Sequence, residues 1–171
     1  ARLQKLKCGQ TGYLVVQDVD SFKKINDTNG HLFGDAVLCS FADELSNIFP
    51  EALKGRIGGD EFVFYVEDMD REQLEERLKH LNRCMSDRYD DDKTGLHISC
   101  SLGVAVTDGT VTDYNLLFQW ADAALYQVKS KGKGTYYLLD VREGVALPGK
   151  SYLDSEENKE DEIVHKEAQF E

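Results

Sequence analysis

Residues 54–66, KGRIGGDEFVFYV, place two glycines between two stretches of strand-forming residues. A Gly-Gly pair in this setting predicts a two-residue β-hairpin turn, because glycine accepts positive φ freely. Two acids, Asp60 and Glu61, follow the glycines directly. Turn chemistry alone needs no pair of carboxylates at this point. The acids are either solvated residues beside a turn or part of a functional site, and the stretch by itself favours neither interpretation.

The composition limits what the chain can be. Its 171 residues suffice for one domain with a substantial core. No apolar run is long enough to span a bilayer, and the opening ARLQKLKC lacks the apolar region of a signal peptide. The net charge of −12 argues against a nucleic-acid-binding surface. We therefore expect a cytoplasmic domain that contacts neither nucleic acid nor membrane, even if a full-length protein carries a membrane anchor.

The four cysteines form no CxxC pair, and three fall on apolar faces. They are predicted to be small buried hydrophobes in a reducing compartment, without a role in disulfides or metal binding.

Hydrophobic periodicity predicts the element order β-α-α-β-β-α-β-α-β, which is an α+β plan with a mixed, mainly antiparallel sheet. The Asn29-Gly30 pair should close the first helix, and Asp70 with Gln73 resembles a capping box at the start of the third. The predicted segments are strands at 13–20, 53–57, 61–66, 96–106 and 135–141, and helices at 21–27, 35–49, 70–85 and 113–131.

The C-terminal part of the chain has a different composition. Residues 151–171 contain eight acids and two lysines without hydrophobic periodicity. We expect one domain over residues 1–145, followed by an acidic tail or linker over 146–171 that is disordered.

Residues 18–35, DVDSFKKINDTNGHLFGD, contain an Asp-x-Asp pair at the end of the first predicted strand. Asp18 and Asp20 point to the same face, and the carbonyl of Val19 lies between them. Mg²⁺ is commonly held by one or two carboxylates together with substrate phosphates, so this strand end and the hairpin acids could form such a site. An EF-hand is excluded because Lys23 stands at the sixth position, where that loop needs glycine.

Residues 129–134, KSKGKG, place three lysines at the end of a predicted helix in an acidic protein. Favourable charge at a helix C-terminus, capped by Gly132, explains them without any function. Beside a magnesium site, they could instead hold a triphosphate. The pattern alone leaves both explanations open.

Four motifs in this order resemble the GGDEF domain of bacterial diguanylate cyclases over about residues 11–140: DVDSFKKINDTNGHLFGD, RIGGDEFVF, ISCSLGVAV and ADAALYQVKSKGKG. The resemblance implies a fold like nucleotidyl cyclases and polymerase palms, with a ferredoxin-like core and a five-stranded, mainly antiparallel sheet flanked by helices. It also implies the condensation of two GTP into cyclic di-GMP and two pyrophosphates. The cofactor would be Mg²⁺, or Mn²⁺ in its place.

The resemblance assigns roles at the metal and at the reacting atoms. Asp18, the Val19 carbonyl and Asp60 would bind the metal, and Asp20 would be a structural acid beside it. Asp60 or Glu61 would take the proton of the attacking hydroxyl. Lys23 would neutralise phosphate charge; the alternative is a solvated helix lysine.

The resemblance also assigns residues to the rest of GTP. Asn26 and Asp35 would hydrogen-bond guanine, since an amide donates and accepts while a carboxylate accepts from the N1–H and N2–H₂ edge. His31 would line the same pocket unless it is only a packed loop residue. The remaining contacts would be lysines on the β- and γ-phosphates and glycines that let the backbone approach the nucleotide: Lys129, Lys133, Gly58 and Gly59.

The chain departs from the family at two places. Family members usually open with a D-x-L-T-x-L-x-N-R stretch, whereas this chain starts at ARLQKL, which resembles the helix that follows it. We therefore expect an N-terminally trimmed domain and an upstream sensor or dimerisation domain in the full-length protein. The usual Gly-Arg-Asn after the last helix is Gly132-Lys133-Gly134, which keeps the charge but loses arginine's bidentate grip. One domain would hold one GTP, so catalysis should require a homodimer.

Many family members carry an Arg-x-x-Asp product-inhibition site that begins nine residues before the first signature glycine. The corresponding residues here are Phe49, Pro50, Glu51 and Ala52, and no arginine occurs between Gln4 and Gly55. The sequence therefore predicts a cyclase without this inhibitory site.

Two further functions stay open. The first is a GTP-binding module without turnover that regulates an attached domain, such as a cyclic di-GMP phosphodiesterase. The second, weaker one is a cyclase that makes a cyclic mononucleotide.

Overall fold

The structure, a computed structural model, describes residues 10–90, 95–141 and 147. Within these residues it contains five strands and four helices in the predicted order. The strands form one sheet in the order β2-β3-β1-β4-β5, in which all neighbours are antiparallel except the parallel pair β4–β5. The elements are β1 (Gly12–Val19), α1 (Phe22–Asn29), α2 (His31–Ile48), β2 (Leu53–Arg56), β3 (Glu61–Glu67), α3 (Arg71–Tyr89), β4 (Cys100–Thr107), α4 (Tyr114–Lys131) and β5 (Tyr136–Asp140).

The sheet has helices on both faces, and each face has its own hydrophobic cluster. The first cluster joins the sheet to α1, α2 and α3, and the second joins it to α4. Alternation along β1 assigns its side chains to these faces: Tyr13 and Val15 lie in the first cluster, and Leu14 and Val16 lie in the second. By the same alternation the acids at 18 and 20 face the side of α4.

Gly103 allows α4 to lie directly against β4. A β-carbon at this position would stand 2.0 Å from the carbonyl oxygen of Ala121 and 2.3 Å from the amide nitrogen of Leu125. Because these neighbours are backbone atoms, a larger residue could not be accommodated without moving the helix. The contact fixes the helix that ends with Lys129 and Lys131.

Three predicted boundaries differ from the structure by four residues. Helix α3 ends at Tyr89 and not at residue 85. Helix α2 begins at His31 and not at Asp35, because Gly30 ends α1 at φ 86 and the chain re-enters a helix at once. Residues 31–34 gave no helical pattern, since Leu32 is 87% exposed and Gly34 is buried. Strand β4 begins at Cys100 and not at residue 96. Before Cys100 the backbone bonds to side chains: the Ile98 amide donates to the Asp90 carboxylate at 2.9 Å.

The predicted helix starts at α3 and α4 are confirmed by their caps. The Asp70 carboxylate accepts a hydrogen bond of 2.8 Å from the Gln73 amide, and Asp113 accepts from the amides of Asn115 and Leu116.

The prediction for the cysteines is wrong in part. Cys100 is buried, but Cys84 is half-buried and Cys39 is exposed, because Cys39 lies outside the buried stripe of α2. Cys8 lies outside the described residues.

The predicted tail over residues 146–171 also lies outside them, except for Leu147, which packs against the second cluster. The domain boundary therefore stays a prediction. None of the helices in the described part of the chain combines the length and the hydropathy that a membrane span requires.

Candidate active site

The end of β1 and the tip of the β2–β3 hairpin lie side by side. Asp18 is paired with Glu61 in the antiparallel ladder between β1 and β3. One residue further, the Val19 amide donates to the Asp60 carbonyl at 3.3 Å. The ladder thus brings Asp18, Val19, Asp60 and Glu61 together from two separate motifs.

The hairpin connection differs from the predicted two-residue turn. Residues 57–60 join the strands, and neither Gly58 nor Gly59 has a positive φ. The guanidinium of Arg56 donates hydrogen bonds to the carbonyl oxygens of both glycines, and these bonds stabilise the turn. A β-carbon on Gly58 would meet the Glu61 carboxylate at 2.7 Å, whereas one on Gly59 would meet nothing within 4 Å. Gly58 therefore leaves room for the Glu61 side chain, and the space beside Gly59 is open.

The electrostatics of this corner are those of crowded carboxylates. Burial raises the pKa of Asp60, and the neighbouring charges of Asp18 and Glu61 raise it further, while Lys129 opposes the shift. Lys129 forms an ion pair with Asp18, with 2.7 Å between Nζ and Oδ2. An acidic corner with a raised carboxyl pKa attracts a cation, and the lysine ammonium supplies one here.

The corner suits a magnesium ion that also binds substrate. Within the described residues no group of three or more His, Cys, Asp or Glu side chains is arranged to hold a metal by itself. The predicted set of Asp18, Asp60 and the Val19 carbonyl has only two carboxylates. That number is what Mg²⁺ commonly takes from a protein when substrate phosphates and water complete its shell.

Asp20 is part of a different arrangement. Its side chain is 6% exposed and accepts hydrogen bonds from the hydroxyls of Ser99 and Ser101, at 2.6 Å each. The Gly134 amide donates to the same carboxylate at 3.0 Å. Both carboxylate oxygens are thus occupied by protein donors, which supports the prediction that Asp20 is structural.

A second group of candidate residues lies where α1 meets α2. Asn26 is on α1, and its Oδ1 is buried without a hydrogen-bond partner. Asp35 is exposed on the second turn of α2, four residues after His31 at its start, so these two lie on one face. Lys23 is exposed near the start of α1. A buried acceptor without a partner is costly, and it is what a ligand with a matching donor would satisfy.

The lysine-rich loop after α4 approaches the start of α1. The ammonium of Lys133 lies 3.3 Å from the hydroxyl of Ser21. Lys133 and Ser21 are both in the left-handed region, at φ 65 and φ 57. Lys129 is one turn earlier on the same side, at the carboxylate corner. The two predicted phosphate-binding lysines therefore flank the end of β1.

Sequence reasoning missed the residues that support these groups. Ser99, Ser101 and Gly134 hold Asp20, yet small residues in a strand indicate only tight packing. Gly34 touches Asn26, since a β-carbon on it would lie 1.9 Å from the Asn26 Oδ1. The Gly34-Asp35 pair at the end of DVDSFKKINDTNGHLFGD was a signal, but only of the motif as a whole.

The described residues thus form an α+β sheet with an acidic corner on its central strand and lysines on either side of that corner. The family model for "Diguanylate cyclase, GGDEF domain" matches residues 1–135. The chain belongs to the GGDEF domain family, and the predicted fold is confirmed.

Individual relatives agree with this assignment. The chain is 31% identical over 144 residues to probable diguanylate cyclase DgcT of Escherichia coli, covering 81% of this chain and 32% of that protein. It is also 31% identical over 124 residues to cyclic di-GMP phosphodiesterase PdeR of Escherichia coli, covering 72% and 19%. The crystal structure of the GGDEF domain of DgcB from Caulobacter crescentus in complex with c-di-GMP matches with a TM-score of 0.66 at 29% identity, covering 76% of this chain and 78% of that one. The chain thus spans a third or less of these two curated relatives.

Proposed function

We propose that this domain is a diguanylate cyclase that condenses two GTP into cyclic di-GMP and two pyrophosphates. The observation that carries the proposal is the corner at which Asp18, Asp60 and Glu61 converge beside Lys129. Membership of a family described by this activity supports the same conclusion. We place the reaction in the cytoplasm, where the unpaired Cys39 and Cys84 would remain reduced.

The carboxylate corner would hold the divalent cation. Asp18, Asp60 and the Val19 carbonyl would bind Mg²⁺, or Mn²⁺ in its place. When bound, the cation would supply charge stabilisation for the attacking oxygen and the phosphate. Either Asp60 or Glu61 would accept the proton of the attacking 3′-hydroxyl. Gly58 and Gly59 would allow the α-phosphate to approach the backbone.

The other candidate residues would bind the rest of GTP. Asn26, with Asp35 and His31 on the facing helix, would recognise the guanine edge. Its unpartnered carbonyl oxygen would accept from a guanine N–H group. The phosphates would be held by lysines from α1, from α4 and from the loop after α4: Lys23, Lys129 and Lys133.

Catalysis would require two copies of the domain, because each copy would hold one GTP and the two hydroxyls attack in opposite directions. The deciding experiment fuses a dimeric coiled coil to the N-terminus, incubates the dimer with GTP and Mg²⁺, and separates the products by chromatography. Cyclic di-GMP is the expected product, at a rate per subunit well above that of the unfused domain at micromolar concentration. A cyclic mononucleotide, or equal activity at every protein concentration without the fusion, would contradict the proposal.

A GTP-binding module without turnover remains the second candidate. The similarity to PdeR, a protein named for a phosphodiesterase activity, favours it. GTP binding by the forced dimer without any product would support this alternative. The presence of all three carboxylates favours the enzyme, because binding alone does not need them.

We predict that Lys129 must leave Asp18 before the cation binds. Lys129→Met removes the competing ammonium, so the nucleotide-free domain should bind Mn²⁺ about two- to fivefold more tightly, which is the range for an ion pair as exposed as this one. Affinity for 3′-deoxy-GTP, which cannot react, should fall at the same time. Free Mn²⁺ is measured by electron paramagnetic resonance. Lys131→Met is the matched control, since Lys131 lies over the ring of Tyr137 and should leave both affinities unchanged. Weaker Mn²⁺ binding in Lys129→Met would show that the ion pair does not compete.

We also predict that the domain has no primary product-inhibition site. Phe49 stands at the arginine position of the family's Arg-x-x-Asp site, where it is fully buried and packs on Phe64. Ala52 stands at the aspartate position and is also buried. Between them Glu51 forms an ion pair with Arg77 at 2.5 Å. Calorimetric titration with cyclic di-GMP, with 3′-deoxy-GTP saturating the active site, should therefore show no submicromolar binding. The GGDEF domain of DgcB is the positive control. A submicromolar site that survives Arg56→Ala would contradict the prediction.

A further inference from the structure

Asp20 joins three parts of the chain at the edge of the proposed phosphate site. Ser101 donates to one of its carboxylate oxygens, and Ser99 and the Gly134 amide donate to the other. Its own amide donates to the Ser99 carbonyl at 2.9 Å. Hydrogen bonds to a carboxylate are stronger than those between neutral groups, and these are shielded from water. The carboxylate therefore holds the loop after α4 against β1 and β4.

That loop has an unusual backbone. Gly132, Lys133 and Gly134 have φ values of 131, 65 and 65. For a lysine the left-handed region costs about 1 kcal/mol, and it persists only where the surroundings enforce it. Two contacts enforce it here: the Lys133 amide donates to the Val128 carbonyl at 3.1 Å, and the next amide, of Gly134, donates to Asp20.

The Lys133 side chain is directed back toward the residue that follows Asp20. Its ammonium contacts the hydroxyl of Ser21, which is the other non-glycine residue in the left-handed region here. Two contacts thus fix the Lys133 loop. The Asp20 carboxylate accepts from the loop backbone at Gly134, and the Ser21 hydroxyl contacts the Lys133 ammonium.

We propose that Asp20 is a positioning residue that fixes the Lys133 loop so that its ammonium meets the terminal phosphates of the substrate. Asp20 does not contact the substrate or the cation in this role. The inference rests on the proposed function, since it takes the triphosphate of GTP as the ligand of Lys133.

Binding of two unreactive nucleotides tests the role without turnover. The domain is titrated calorimetrically, in Mg²⁺, with 3′-deoxy-GTP and with 3′-deoxy-GMP, and the ratio of the two affinities measures what the terminal phosphates contribute. Asp20→Ala should reduce this ratio about tenfold, equivalent to ~1.4 kcal/mol, and leave the monophosphate affinity unchanged. Lys133→Ala should reduce it equally, and the double variant should lose no more than either single one.

Asp113→Ala is the matched control. It removes the N-cap at the other end of α4, so it destabilises the same helix without touching the Lys133 loop. Its melting temperature should fall while the affinity ratio stays constant. If Asp20→Ala does not fold, Asp20→Asn, which keeps one acceptor oxygen, and Ser101→Ala, which keeps the carboxylate, should each show part of the loss.

Three results would overturn the proposal. Additive losses in the double variant would mean that Asp20 does not act through Lys133. Equal loss of monophosphate and triphosphate affinity would indicate a general structural role. Weaker Mn²⁺ binding in nucleotide-free Asp20→Asn would make Asp20 a metal ligand. If the dimerised wild type makes no cyclic di-GMP but shows the affinity ratio and its loss in Asp20→Ala, the cyclase proposal fails while this one stands.

Discussion

Asp60→Ala should reduce the formation of cyclic di-GMP about a hundredfold or more, while the domain stays folded and still binds GTP. The change leaves Asp18 as the one remaining carboxylate of the proposed metal-binding set. The proposed guanine and lysine contacts do not involve Asp60, so nucleotide binding should persist. Turnover is measured on the coiled-coil dimer at saturating GTP. Retention of more than about a tenth of the wild-type rate, a loss below ~1.4 kcal/mol, would contradict the metal assignment.

The Asp60 carboxylate, which is needed for turnover, should lower the folding stability at neutral pH. Burial and the charges of Asp18 and Glu61 raise the Asp60 pKa, so the folded state binds this proton more tightly than the unfolded chain does. Folding stability therefore falls as pH rises from the unfolded pKa through the folded one, and the cost is fully present above both. Without divalent cations, Asp60→Asn should be at least as stable as wild type at neutral pH.

This advantage should disappear as the pH falls toward about 4, where the unfolded carboxyl also binds its proton. Chemical denaturation across the pH range measures it. Asp43→Asn, the same charge change at an exposed position of α2, is the control and should show neither the loss of turnover nor the pH-dependent gain. If Asp60→Asn were less stable than wild type at neutral pH, Asp60 would have a structural role.

The sequence predicted the carboxylate corner well because the corner is formed by regular structure. Alternation put Asp18 on a known face of β1, and the hairpin pattern put Asp60 at a strand end. The antiparallel ladder then joins the two strands with little freedom. The same logic failed at the turn itself, where four residues connect the strands and the glycines have ordinary φ values. Gly-Gly indicated positive φ, whereas Gly58 is needed for the space beside Glu61.

The supporting contacts could not be predicted because they join distant parts of the chain through side chains. Ser101 resembles any small residue on a packed strand, and only the folded register shows that it faces Asp20. The start of α2 was misplaced for a similar reason. Its first turn has an exposed Leu32 and a buried Gly34, the reverse of the pattern that burial normally imposes. The buried glycine is explained by the space that Gly34 leaves for Asn26. The exposed leucine is not explained in this way.

Gly34→Ala should accordingly weaken GTP binding about tenfold or more, although alanine is the better helix former. Gly34 lies inside α2 at an ordinary φ, so alanine should favour the helix by about 0.5–1 kcal/mol. Its β-carbon would stand 1.9 Å from Oδ1 of Asn26 and 3.1 Å from the ring of Phe22. Asn26 must therefore move, and the proposed guanine contact moves with it. Losing a hydrogen-bonding partner of this kind typically costs about 1–3 kcal/mol.

The prediction is sharpest as a double-mutant cycle measured with 3′-deoxy-GTP and 3′-deoxy-ATP. Asn26→Ala and Gly34→Ala should each lower the preference for guanine over adenine by a similar factor. In the Asn26→Ala background the colliding oxygen is absent, so adding Gly34→Ala should cost no further affinity. Gly59→Ala is the control, because its β-carbon would meet no protein atom within 4 Å. Since Gly59 is proposed to lie at the α-phosphate and not at the base, this change should alter both affinities by the same factor and keep the guanine preference. Additive losses from Asn26→Ala and Gly34→Ala would contradict the prediction. They would mean that Gly34 does not act by leaving space for the Asn26 side chain.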